Sequence, residues 1–120
     1  MEKVEGIGGL FFSAKDPKAL AEWYETHLGI NLAPKNVEMT PWTSKEGVTI
    51  FAPFDKDTDY FPADRQFMFN FRVSNLNAML SQLKQAKIEI INQQTMDGIG
   101  SFARINDPEG NPIELWQPQQ

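Results

Sequence analysis

The sequence predicts an α+β fold made of two tandem βαβββ modules, whose curved mixed sheets surround a concave cavity. Three observations predict it. Two helix starts, Asp16-Pro17 and Asn75-Leu76, each follow a short apolar run. Aligning these two caps gives an offset of 75 − 16 = 59 residues, and the same offset pairs Leu10 with Phe69, Phe12 with Phe71, Ala14 with Val73 and Tyr24 with Leu83. Each helix is then followed by three short runs bounded by turn-forming residues. With one helix for four strands, each module covers one sheet face and leaves the other to line a concavity.

Taken in order, Gly8 to Ala14 reads as an apolar strand, and Leu20, Trp23, Tyr24 and Leu28 recur at helical spacing until Gly29. Ile30 to Ala33, Met39 to Ser44 and Val48 to Pro53 read as the three strands that complete the first module, about residues 5–53. Residues 54–66 are polar, with four aspartates and Pro62, and read as the linker. The second module, 67–118, restarts with the strand Phe67 to Val73 and a helix from Asn75 to Ala86 carrying Leu76, Met79, Leu80 and Leu83 as one apolar stripe. Lys87 to Asn92, Gly100 to Asn106 and Pro112 to Gln117 supply its remaining strands. All 120 residues form a single domain, able to bury roughly two-thirds of its unfolded surface.

Composition excludes several function classes. A net charge of −5, with lysine and arginine scattered, offers no stripe for nucleic acid. Without cysteine there is no disulfide, thiolate nucleophile or thiolate metal site. No run approaches the ~18 apolar residues of a membrane span, and the N-terminus lacks a signal-peptide pattern, so the expected location is cytoplasmic. The one histidine, His27, falls in the last turn of the first helix, where imidazole suits the helix dipole better than catalysis. Ser13 has no histidine partner for nucleophilic chemistry, and the glycines at 6, 8 and 9 form no phosphate loop. The aspartates of the linker lack the glycine and final glutamate of an EF-hand and read as a solvated loop.

The terminal hairpin carries the chemistry. Asp107-Pro108-Glu109-Gly110-Asn111 predicts a tight turn, since Pro108 fixes φ and Gly110 supplies a positive one. On the strand that follows, Glu114 stands among Ile113, Leu115 and Trp116. A carboxylate there is costly to bury alone, so it is a ligand, a catalytic group or half of an ion pair.

The segments GLFFSAKDPKALAEWYETHLGI and DPEGNPIELW, placed as they are in the repeat, resemble the vicinal oxygen chelate superfamily over Gly6 to Pro118. That superfamily includes glyoxalase I, extradiol dioxygenases, fosfomycin-resistance transferases and bleomycin-resistance proteins. The resemblance implies four inward ligand positions for a divalent metal. Here they hold Gly9, Met68, Glu114 and, within a residue or two, Thr49, with Ile50 and Phe51 as its neighbours. One carboxylate cannot supply the three or so N or O donors that Zn²⁺, Ni²⁺, Mn²⁺ or Fe²⁺ requires, so no metal and no other cofactor is expected.

If the inward orientation holds, period two carries Phe11, Ser13, Thr49, Phe51, Met68, Asn70, Arg72 and Trp116 to the cavity face along with Glu114. Trp42, Phe102 and Arg104 join the candidate ligand-binding set, and Arg72 or Arg104 is the expected ion-pair partner of Glu114. The resemblance implies a metal-independent binding protein of the bleomycin-resistance, antibiotic-sequestering type. It would form a homodimer around a small, flat, cationic ligand. The alternatives are a glyoxalase-, isomerase- or dioxygenase-like enzyme using Glu114 as base or ligand, and a regulatory or interaction domain with a vestigial pocket.

Overall fold

Local chemistry sets both helices where the caps predict them. In the computed structural model, which describes residues 1–120, α1 spans Pro17–Leu28 and α2 spans Leu76–Gln85. The Asp16 carboxylate accepts the Ala19 N–H at 3.1 Å, and the Asn75 side chain accepts that of Ala78 at 3.0 Å, so each cap satisfies a helix donor that has no partner within the helix.

The second half builds one mixed, curved four-stranded sheet from β1 (Phe69–Arg72), β2 (Asn92–Met96), β3 (Gly100–Asn106) and β4 (Pro112–Pro118), in the order β1-β4-β3-β2. β1 runs parallel to β4, reached by the crossover through α2, while β4, β3 and β2 are antiparallel neighbours. Strand parity then separates two faces. Phe69, Ala103, Ile105, Ile113 and Leu115 pack with Leu76, Leu80 and Leu83 of α2 and with Leu20 and Tyr24 of α1. Both helices therefore cover the same sheet face. Leu83, Ile105 and Ile113 are fully buried, each worth about 1.5–3 kcal/mol of hydrophobic stabilisation.

Between β3 and β4 the predicted turn forms: Gly110 N–H donates to the Asp107 carbonyl at 3.0 Å, and Gly110 takes φ 83°. Glu109 of the same turn reaches back to α1, where its two carboxylate oxygens accept the N–H groups of Lys15 at 2.7 Å and Asp16 at 3.0 Å. The last hairpin thus fixes the approach to the first helix.

Two features differ from the sequence expectation. The strand expected over Lys87 to Asn92 is displaced to Asn92–Met96, because the end of α2 consumes the intervening residues. Ile88 N–H donates back to the Leu83 carbonyl at 3.0 Å and Lys87 adopts φ 63°, so the ladder opens only with Ile91 N–H on the Arg104 carbonyl at 2.8 Å. In the first half, Gly8 to Ala14, Ile30 to Ala33, Met39 to Ser44 and Val48 to Pro53 join no sheet in the single chain. An alternating apolar run becomes a strand only where another edge takes its backbone groups. Phe12 does pack its ring against Phe69 at 5.0 Å, but no backbone ladder follows. The surface is accordingly large, 9527 Å² against about 6,600 Å² for a compact monomer of this mass.

Candidate functional site

The sheet face away from the helices carries the candidate site. Register across β1, β4, β3 and β2 places Asn70, Glu114, Arg104 and Asn92 in one row, and Arg72, Trp116, Phe102 and Gln94 in the next. This follows from period two, because the apolar residues between them occupy the core side. Phe102 and Trp116 stand cross-strand with rings parallel within 3° and centroids 6.1 Å apart. Trp116 is held in place by its indole N–H, which donates to the Ile99 carbonyl at 2.9 Å.

Glu114 is the buried polar centre of this face, 5% exposed. Its Oε1 accepts the Asn70 amide at 2.7 Å, and its Oε2 accepts the Tyr60 hydroxyl. The expected ion pair with Arg72 or Arg104 does not form. Arg72 is drawn to the first half, donating to the Lys45 carbonyl at 2.9 Å, and Arg104 donates to the Tyr60 carbonyl at 2.6 Å. The two neutral donors satisfy the carboxylate directly, which is how a buried acid is held without a salt bridge. Burial, followed by the hydrogen bond to Glu114 and its charge, pushes the Tyr60 phenol up to about 12, with the Arg104 charge pulling the other way.

Tyr60 was not legible as a site residue, because it lies in the segment 54–66 that reads as a polar linker. The adjacent pair Tyr60-Phe61, followed by Pro62, was the available signal, since aromatic rings in an acidic loop need cover. Phe54 supplies it, at 5.6 Å from each of the two rings. An open depression of about 550 Å³ lies here, walled by residues 57–63 and Arg104.

The structure does not bring the first-half candidates to this face. Phe11, Ser13, Thr49 and Phe51 are exposed, Phe11 and Phe51 at 98% and 87%. Trp42 meets Phe71 edge-on at 6.1 Å, on the helix side of the sheet. Met68 is half-buried one step before β1. His27 packs beside Trp23, ring centroids 5.5 Å apart, in the last turn of α1.

A divalent ion held at the four expected positions finds an unsuitable donor set. Gly9 has no side chain, Met68 offers a thioether, Thr49 a neutral hydroxyl, and both Glu114 oxygens already accept hydrogen bonds. No three of His, Cys, Asp and Glu come together elsewhere in the chain. No helix is long and apolar enough to cross a membrane.

Comparison with known proteins places this architecture. No curated protein matches the chain. Among solved structures, the antibiotic binding protein TnmS3 from Streptomyces sp. CB03234 superposes with a TM-score of 0.66 at 19% identity, covering 99% of this chain and 100% of that one. A virulence protein from Salmonella typhimurium gives 0.65 at 20% identity over 98% and 100% of the two chains. Lactoylglutathione lyase from Agrobacterium tumefaciens gives 0.58 at 17% identity over 94% and 96%. At these identities the likeness is one of fold. The sequence model of the Glyoxalase/Bleomycin resistance protein/Dioxygenase superfamily matches residues 6–115, nearly the whole chain, and the protein belongs to that superfamily.

Proposed function

We propose that the protein is a metal-independent small-molecule-binding protein that holds a flat aromatic ligand on the face containing Asn70, Arg72, Phe102, Arg104, Glu114 and Trp116. The observation that carries this reading is the pairing of parallel Phe102 and Trp116 rings with a single buried carboxylate already satisfied by neutral donors. Such a face combines apolar contact area with a few fixed polar groups, the usual composition of a ligand site. Similarity to an antibiotic binding protein supports the same class.

The test is a thermal-shift screen with planar aromatic compounds alongside metal analysis of the purified protein. A binder raises Tm by mass action, and Phe102→Ala is expected to weaken it by roughly 30-fold, the effect of losing an aromatic anchor worth about 2 kcal/mol. Glu114→Gln is expected to weaken binding and to leave metal content unchanged. Stoichiometric zinc, nickel, manganese or iron that vanishes in Glu114→Gln overturns the reading.

The protein works as a homodimer in this proposal. Leu10, Phe11, Val48, Ile50 and Phe51 are exposed on extended segments that join no sheet, and the surface exceeds that of a compact monomer by about 2,900 Å². Burying that excess on both protomers removes about 5,800 Å² in total, at the upper end of obligate interfaces. Light scattering is expected to give twice the 13.7 kDa chain mass, and a monomer at micromolar and higher concentrations refutes it.

A further inference from the structure

Tyr60 sits on Glu114 as a ligand would. Its hydroxyl donates to Oε2 of a carboxylate that is 5% exposed, whereas the tyrosine itself is 38% exposed and comes from a segment with no helix or strand. Within residues 55–64 the loop holds itself by little more than Thr58 N–H on the Asp55 carbonyl at 2.9 Å and Tyr60 N–H on the Thr58 hydroxyl at 3.1 Å. Its attachments to the sheet face are the Tyr60 hydroxyl and the Tyr60 carbonyl, the latter accepting from Arg104 at 2.6 Å. Arg65 secures the end of the segment separately, through its 2.8 Å bond to the Glu109 carbonyl. One residue thus presents a donor to Glu114 and an acceptor to Arg104, two side chains directly opposite each other in the β3–β4 register.

Resting on the binding function proposed above, we infer that Tyr60 is a built-in surrogate ligand and that the site takes an uncharged aromatic hydroxyl compound, a phenol or naphthol, whose O–H displaces it from Glu114. The displacing group must donate to Glu114 Oε2 as the Tyr60 hydroxyl does, and a phenolic O–H does so without bringing a net charge beside Arg104. An ammonium donates only and faces the Arg104 guanidinium, with Arg72 in the next row; a carboxylate accepts only and faces Glu114. The flat cationic ligand implied by the family resemblance is therefore disfavoured on this face. Because the free site is occupied by the chain itself, the apparent affinity is reduced by the fraction of molecules in which Tyr60 remains seated.

The experiment titrates the full-length protein with naphthol, its methyl ether, naphthylmethylammonium and naphthoate, in the parent and in Tyr60→Phe. Naphthol is expected to bind about ten-fold or more tightly than the other three, since a site built around a hydrogen-bonding group rejects analogues that cannot complete it. In Tyr60→Phe the competing hydroxyl is gone, so naphthol is expected to bind at least about three-fold more tightly. Equal binding of naphthol and its methyl ether, tightest binding of the ammonium or naphthoate, or weaker naphthol binding in Tyr60→Phe overturns the surrogate role, while the aromatic binding function stands. Failure of all four naphthalenes to bind refutes both.

Discussion

Asp107→Ala is expected to destabilise the protein by about 3–5 kcal/mol, because it leaves several buried donors without partners at about 1–3 kcal/mol each before relaxation. Asp107 is 4% exposed and lies where β3 enters the last turn. Its Oδ2 accepts the Tyr24 hydroxyl at 2.7 Å and the Asn111 amide at 2.8 Å, while Oδ1 accepts the N–H groups of Glu109 at 2.8 Å and Asn111 at 3.0 Å. One carboxylate thus shapes the turn and ties it to α1. Against a typical domain stability of roughly 5–15 kcal/mol, the loss takes a large share. Denaturant unfolding checks it: a lowered midpoint at unchanged slope is expected, and a change below about 1 kcal/mol refutes the assignment. Asp107→Asn, which keeps one oxygen acceptor, is expected to fall between the variant and the parent.

The same contact gives an alkaline limit. Burial first, then the hydrogen bond to Asp107 and its negative charge, raise the Tyr24 phenol well above its ordinary value of 10.0. The folded state therefore retains a proton that the unfolded chain releases. The resulting stabilisation is complete below pH 10 and is lost as the pH rises above it, because the unfolded state then binds fewer protons. Thermal melts should show Tm falling above pH 10, with Tyr24→Phe removing part of that dependence and Tyr60→Phe a further part.

What was legible in the sequence depended on how local the cause is. Asp16, Asn75 and the Asp107-Pro108-Glu109-Gly110 turn act through neighbours a few residues away, and they form where their residue types predict. Parity was legible too: Phe69, Phe71, Ile113 and Leu115 on one side determine that Asn70, Arg72, Glu114 and Trp116 lie on the other. Of the two partners of Glu114, Asn70 follows from that parity, but Tyr60 was not legible, because it depends on where a loop 54 residues earlier in the chain comes to rest. Opposite charge favoured Arg104, and the register does place it across from Glu114, yet its guanidinium goes to the Tyr60 carbonyl. The first-half strands failed for a different reason. Val48, Ile50 and Phe51 satisfy the pattern for a strand, but pairing is a property of two edges, and a pattern along one segment does not say whether the second edge belongs to the same chain.

Gly100→Ala is expected to be the most damaging small substitution in the sheet, costing about 2–4 kcal/mol and disordering the aromatic face as well. Gly100 is buried at the first position of β3, with φ 135°, a conformation closed to a residue with a β-carbon. A methyl group there would run into the Gln117 carbonyl of β4 and come within 2.8 Å of the Trp116 indole nitrogen. Neither neighbour yields easily. The Gln117 carbonyl belongs to the β4 backbone beside the Gly100–Pro118 end of the ladder, and the indole is fixed by its bond to the Ile99 carbonyl. Relief therefore requires opening the β3–β4 end or turning Trp116 away from Phe102. Gly98→Ala separates this collision from backbone strain, since φ is 80° there but nothing lies within 4 Å of an added β-carbon. It is expected to lose only about 1–2 kcal/mol from the left-handed conformation. Unfolding midpoints and tryptophan fluorescence distinguish the two variants: Gly100→Ala should lower the midpoint further and shift the emission of Trp116, while equal losses with an unchanged spectrum refute the close approach of β4 to Gly100.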